Sequence, residues 1–476
     1  MQQTEWQMDA GIPATAGSEP EGASAIDRMA AAVVRRRLER ALADWRVGRL
    51  TIHLPDGAVL AGGAEAAEPQ ATVWIRCPAF FRRLAFGGDL GAGESFMDGD
   101  WHADDLPRLI ELVLRNEAVL SFDSPLTTLA NLVNDWRHRQ RANTRKGSRR
   151  NIEAHYDLSN ALFETFLDPS MAYSAGVYAD DADGLAEAQA RKFRCWTERL
   201  QIGPDDHVLE IGSGWGGFAM HAARATGCRV TGITVSREQL ALSRERVRAA
   251  GLEDRVDIQY CDYRDVTGRY SRIVSIEMIE AVGREFWPGF FRAIDRALAP
   301  GGRAGIQAIT MPDHRFDRYA RHCDWIQKHI FPGGLLPCLR EVAAVAADVS
   351  ALGVIELEDR PLDYARTLAA WRRSFLRRLD RVRALGFDER FIRMWDYYLA
   401  SCEAAFRTRH LGLAHLVLAR AGEDLRQVAG AQSRSHEAHE APENVRTTCT
   451  PWPSRSARRG RRVLRDLRLS TPLGAS

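Results

Sequence analysis

His207-Val208-Leu209-Glu210-Ile211 runs without a break into Gly212-Ser213-Gly214-Trp215-Gly216-Gly217, and an apolar helical run follows from Phe218 to Ala223. An apolar strand, a glycine turn and a helix in that order read as one strand–turn–helix unit of an α/β sheet. Glycines let the chain turn tightly off a strand and let a ligand approach bare backbone at the sheet edge. Outward from this unit, further strand candidates recur with helices between them: Arg229–Ile233, Val256–Gln259, Ile273–Ile276, Gly302–Ile309, Val354–Leu357 and Leu413–Ala419. Together with His207–Ile211 they make seven strands, and the alternation predicts an open, doubly wound α/β sheet over residues 151–425.

The rest of the chain is read around that sheet. Its 476 residues are 45% apolar and 27% charged with a net charge of +2, the proportions of a globular protein of two or three domains. Residues 1–25 lack periodicity and read as a disordered leader. Residues 26–125 read as a small α+β domain. In it Ile26, Ala30, Val33, Val34, Leu38, Leu42 and Trp45 recur at helical spacing. Strand-like runs follow at Leu50–Leu54, Ala71–Arg76 and Ala79–Phe86, then a helix at Leu106–Leu114. The linker 126–150 carries Arg137, Arg139, Arg141, Arg145, Lys146, Arg149 and Arg150 without an acid between Trp136 and Arg150. It is either a solvated charged face or an attractor of anionic phospholipid, worth about 1 kcal/mol per basic residue. Nucleic acid is disfavoured, because no aromatic platform accompanies the charge. Residues 426–476 read as a disordered Arg-rich tail.

Eight cysteines without CxxC pairs or His partners indicate neither a metal site nor a disulfide framework, so a reducing cytoplasm fits. Acidic residues in the first thirty positions argue against a secretory signal. No apolar run reaches the roughly 18–20 residues of a membrane span, so action on lipid would have to come from outside the bilayer.

The loop satisfies GxGxxG, which alone is weak and admits a dinucleotide or a purely structural turn. A dinucleotide domain usually places an acid at the tip of the second strand. Here that strand ends Gly232-Ile233-Thr234. Glu210 and Asp262 stand instead where S-adenosylmethionine (SAM) methyltransferases carry acidic residues. Further blocks join the loop: Asn151-Ile152-Glu153-Ala154-His155-Tyr156-Asp157, Tyr173-Ser174, Gln189-Ala190-Arg191-Lys192, Cys261-Asp262-Tyr263-Arg264, Ser275-Ile276-Glu277-Met278-Ile279-Glu280-Ala281-Val282-Gly283 and Phe331-Pro332-Gly333-Gly334. With these the chain resembles the cyclopropane-fatty-acyl-phospholipid synthases, the mycolic-acid cyclopropane synthases and the fatty-acid methyltransferases. Gly93-Glu94-Ser95-Phe96-Met97 in the small domain is similar to the auxiliary domain of the phospholipid-acting members.

The resemblance implies a Rossmann-like methyltransferase sheet whose SAM is held by Tyr173, Ser174, Gly212, Gly214, Thr234, Gln239, Asp262, Tyr263, Arg264 and Ile276. Tyr263 could instead be a structural aromatic, and Thr234 a helix N-cap in competition with Ser236. The resemblance also implies a bound bicarbonate that serves as base or relays the proton, held by Glu280, by the backbone of Ile309 and by Tyr364. The plainer alternatives are an ion-paired Glu280 and a packed Tyr364. Three departures from the family pattern fall here: Ala175 where many members have Cys, Gln307 where they have His, and Ala281 where a His often follows the Glu. Gln307 can still hydrogen-bond but cannot carry a charge.

The expected reaction is methyl transfer to the cis double bond of an unsaturated phospholipid acyl chain, followed by closure to a cyclopropane. The alternative is alkene methylation giving a methylene or methyl branch, and a small-molecule methyltransferase is the more distant rival. The resemblance further implies a cytoplasmic enzyme that visits the inner membrane face, with a homodimer allowed.

Overall fold

A computed structural model describes residues 25–120 and 159–422. The leader, the basic linker, the block at 151–157 and the Arg-rich tail lie outside the described residues.

The seven strand candidates form one sheet. They are β5 (His207–Ile211), β6 (Arg229–Thr234), β7 (Val256–Tyr260), β8 (Tyr270–Ile276), β9 (Leu298–Thr310), β10 (Leu352–Asp359) and β11 (Gly412–Arg420), the numbers β1–β4 belonging to a preceding sheet. The order is β10-β11-β9-β8-β5-β6-β7. Strands β5 to β9 pair in parallel, and β11 runs antiparallel to both β9 and β10. The chain returns across the sheet between β5 and β8, and in such sheets the crevice at the carboxyl ends of the strands beside that switch is where ligands bind. The central strands are covered on both faces, which is why β5, β8, β9 and β11 read as nearly continuous apolar runs.

The earlier sheet has the order β2-β1-β3-β4, with β1 at Arg49–His53, β2 at Val59–Gly62, β3 at Gln70–Ile75 and β4 at Trp101–Ala103. The run Ala79–Phe86, expected as a strand, is the first half of a helix, Ala79–Met97, which bends at Gly88. Its buried positions Phe80, Phe81 and Leu84 follow a helical spacing, and Pro78 immediately before it suits a helix start; aromatic content alone had suggested a strand. The helix Ala25–Ala43 buries Val34, Leu38 and Leu42 but leaves Ile26 and Val33, expected on the same face, about half exposed. This small sheet and its helices are tied to the larger one: Glu94 binds Lys328 Nζ at 2.5 Å and His329 Nε2 at 3.1 Å, and Ala400 of the helix Glu389–Arg407 enters the small domain's core.

Candidate active site

The glycine loop is built by its neighbours. The N–H groups of Gly212 and Ser213 both donate to the Ile233 carbonyl, at 3.0 and 2.9 Å, which fastens the turn to the tip of β6. Gly212 has φ +83°, and a Cβ there would lie 2.3 Å from Met278 Cγ. Gly214, at φ +52°, would point a Cβ into open space. That space is a cavity of about 1100 Å³, mouth included, at the carboxyl ends of β5, β6, β7 and β8.

Nine of the ten residues expected to hold SAM line this cavity: Tyr173, Ser174, Gly212, Gly214, Thr234, Gln239, Asp262, Tyr263 and Ile276. Arg264 does not. Its guanidinium grips both oxygens of Asp262, at 2.8 and 2.6 Å, so it fixes the acid rather than facing the cavity. Thr234 gives its hydroxyl proton to Gln239 Oε1 at 2.8 Å, while the N-cap of the helix Arg237–Ala249 is Ser236, which accepts from Gln239 N. Tyr173 shares a hydrogen bond with Tyr398 at 2.8 Å and stacks on Trp371.

The wall carries acceptors with no partner inside the protein. Glu210 Oε2 and Ser213 Oγ are both buried and unbonded. Orphaned buried oxygens are costly, and they suit a ligand bearing ammonium and hydroxyl donors, as SAM does. Burial pushes the Glu210 carboxyl up to about 8 against the pull of Lys192. Lys192 is completely buried, donates from Nζ to Ser174 Oγ at 2.6 Å, and is itself lowered by burial to about 8 although Glu277, Asp168 and Glu210 draw it the other way.

The residues expected to hold bicarbonate are brought close together but are already engaged. Glu280 Oε1 accepts the Ile309 N–H at 2.5 Å. Burial first, and then the charge of Glu277, push the Glu280 carboxyl up to about 8. The Tyr364 hydroxyl donates to Glu277 Oε2 at 2.7 Å. Gln307 donates to Glu277 Oε1 at 2.8 Å and to the Ala175 carbonyl at 3.3 Å, and accepts from Trp196 Nε1 at 3.2 Å. The Ala175 N–H also donates to Glu277 Oε1, at 2.9 Å. The donors meant for a bicarbonate are thus spent on two glutamates of this chain, and a further anion beside the Glu277 carboxylate would be repelled. The expected bicarbonate does not fit this arrangement.

Sequence reasoning missed Glu277 and Lys192 as site residues. Both stand in the quoted blocks, yet nothing in their spacing shows that they converge. Among the described residues no cluster of His, Cys, Asp and Glu could hold a metal, and no helix is long and apolar enough to cross a membrane.

The family model described as mycolic acid cyclopropane synthetase matches residues 143–416. The chain is 41% identical, over 80% of its length and 92% of the relative's, to the tuberculostearic acid methyltransferase of Mycobacterium tuberculosis. It is 36% identical, over 78% of its length and 93% of the relative's, to the cyclopropane-fatty-acyl-phospholipid synthase of Escherichia coli. Among solved structures it is similar to the cyclopropane synthase MmaA2 from Mycobacterium tuberculosis, at 25% identity and a TM-score of 0.53, over 57% of this chain and 98% of that one. The mycolic acid cyclopropane synthase CmaA1, complexed with SAH and CTAB, matches at 27% identity and a TM-score of 0.53, over 57% of this chain and 97% of that one.

Proposed function

The chain belongs to the mycolic acid cyclopropane synthetase family and is a SAM-dependent lipid methyltransferase, and on that footing we propose that it methylates the cis double bond of an unsaturated phospholipid acyl chain. The observation that carries the reading is the joined cavity, in which the glycine loop and the acids at the tips of β5 and β7 share a wall with Glu277. SAM supplies an electrophilic methyl group. The chain's own residues would do the rest. Gly214 leaves room for the cofactor's amino acid while Gly212 lets the turn pack on Met278, Thr234, Gln239 and the Asp262–Arg264 pair border the adenosine side, and Tyr173, backed by Trp371 and Phe163, offers an aromatic face to a carbocation. An isolated alkene is a weak nucleophile, so alignment and exclusion of water carry much of the catalysis.

Of the two products, the branch is favoured. Ala175 and Gln307 stand where ring-forming members carry Cys and His, and the relative at 41% identity is named for tuberculostearic acid, a methyl-branched acid. The cyclopropane is the second reading, supported by Glu280 seated on Ile309 and by the name of the 36% relative. Peripheral binding to the inner membrane face, the 26–125 domain as a lipid-facing auxiliary and an optional homodimer complete the proposal.

The test is mass spectrometry of total fatty acids from a bacterium without its own cyclopropane synthase, expressing this chain and fed methyl-labelled methionine. Ring and methylene branch add the same mass, so the labelled acid is hydrogenated or fragmented to separate them. Absence of labelled lipid from a protein that binds SAM would overturn the reading.

A further inference from the structure

We infer that the Glu277 carboxylate is this enzyme's own base, accepting the proton released after methyl transfer in place of an external bicarbonate; the inference rests on the reading of the function above.

Three donors from separate parts of the chain meet on this one side chain: the Ala175 N–H, the Gln307 amide and the Tyr364 hydroxyl. All three give protons to it, which is the pattern that favours a carboxylate over a carboxylic acid. Burial raises the Glu277 carboxyl, and these three donors together with the charge of the nearby buried Lys192 pull it back toward the ionised form. Beside it Glu280 draws only on backbone, the Ile309 N–H and its own N–H, and keeps a buried Oε2 without a partner. The pair therefore divides into one ionised and one protonated member, the arrangement that neighbouring carboxyls take when both cannot be charged.

Position separates the two glutamates as well. Glu277 lines the SAM cavity and Glu280 does not. Glu277 follows the last residue of β8 with φ +51°, a left-handed backbone that costs a non-glycine residue about 1–2 kcal/mol. Strain of this kind persists where surrounding contacts over-determine it, and it collects at functional sites. The strained backbone is what turns the side chain from the end of the sheet toward Ala175, Gln307 and Tyr364. A carboxylate carried by the protein would also account for the absence of the usual Cys and His, since Ala175 and Gln307 serve it as donors and need no charge or thiol.

The step balances. The alkene π pair forms the new C–C bond as the methyl–sulfur bond breaks, leaving neutral S-adenosylhomocysteine and a carbocation on the chain. A C–H bond of the new methyl then breaks, either at once or after a 1,2-hydride shift has moved the cation onto the methyl-bearing carbon. Its electron pair closes the ring or forms a new double bond, and the proton passes to Glu277, which becomes the neutral acid. Tyr364 cannot take that proton while it donates to Glu277, so it acts as a positioning residue.

The experiment uses the purified full chain, methyl-labelled SAM and vesicles of dioleoyl phosphatidylglycerol in degassed, bicarbonate-free buffer. The wild type should label lipid at the same rate with and without added bicarbonate; a requirement for bicarbonate would overturn the inference. Glu277→Gly suits the local φ and should fold and bind SAM normally, yet turn over about 100-fold or more slowly, in the range that a lost general base costs. Added formate or bicarbonate should restore much of that rate. Glu277→Gln, which keeps an acceptor oxygen for the three donors, should be as slow as the glycine variant. A Glu277→Gly enzyme within threefold of the wild type, or one that binds SAM but that neither anion revives, would overturn the assignment. A wild type that labels no lipid would refute the function itself, and the inference would fall with it, whereas labelling by an indifferent variant defeats the inference alone.

Discussion

Replacing Gly212 by alanine should damage both folding and cofactor binding, by an amount that can be built from two contributions. At φ +83° an alanine pays the left-handed backbone penalty of about 1–2 kcal/mol. Its Cβ would also lie 2.3 Å from Met278 Cγ, against an ordinary contact of at least 3.4 Å, so about 1 Å of movement is needed. Met278 cannot yield freely, because it follows Glu277, whose φ is already +51° and whose carboxylate is pinned by Ala175, Gln307 and Tyr364. Overpacking of this kind costs about 1–3 kcal/mol, for a total of about 2–5 kcal/mol. Urea unfolding measures the stability, and calorimetric titration with SAM measures the binding, which should weaken as the loop is displaced. Adding Met278→Ala removes the overlap but not the backbone strain, so the double variant should recover about 1–3 kcal/mol relative to additivity. A Gly212→Ala protein within about 0.5 kcal/mol of the wild type, or additive effects in the pair, would refute the reasoning.

Glu280→Gln keeps the neutral form that the buried carboxyl already holds, so turnover and SAM affinity should both stay close to the wild type, and abolished turnover would show that Glu280 itself takes part in the chemistry. The same variant has a pH signature. Glu280 is raised from 4.5 to about 8, by burial and then by Glu277, so between those values the folded chain keeps a proton that the unfolded chain has released. The wild type therefore loses stability as pH rises through that window, at up to about 1.4 kcal/mol per unit. Glu280→Gln should lack that slope, and identical unfolding free energies for the two proteins from pH 5 to pH 9 would contradict the burial argument. Tyr364→Phe deletes a charge-assisted bond to Glu277 worth about 1.5–3 kcal/mol, and should lower kcat without changing KM for SAM; a change confined to KM would mean that Tyr364 touches the cofactor instead. Lys192→Met removes the buried cation between Glu210 and Glu277 and the bond to Ser174, which should cost about 3–5 kcal/mol of stability and roughly a tenfold loss of SAM affinity. An unaltered binding isotherm would show that Lys192 only packs.

The sheet could be read from the sequence because its central strands are apolar and buried on both faces, so hydrophobicity by itself marks them. The glycine loop was readable for a related reason: a chain that must turn with positive φ and leave room for a ligand has few residues to choose from. Where local signals conflict, the reading failed. Ala79–Phe86 mixes strand-favouring aromatics with helical spacing, and its contacts in the small domain decided for the helix. Strands Val59–Gly62 and Trp101–Ala103 are too short to stand out against their surroundings, and they exist because β1 and β3 lie alongside them.

The cofactor wall was largely legible, since Gly212, Gly214, Thr234, Gln239 and Asp262 sit at strand tips whose order the sequence already implies. The chemistry deeper in the site was not. Glu277 is separated by about a hundred residues from Ala175, by thirty from Gln307 and by eighty-seven from Tyr364, and it reaches all three through a backbone angle that no residue type announces. Hydrophobic pattern and glycine spacing are local properties and survive in one dimension. Which of two nearby glutamates keeps its charge depends on donors brought in from distant strands and helices, and only the folded chain supplies them.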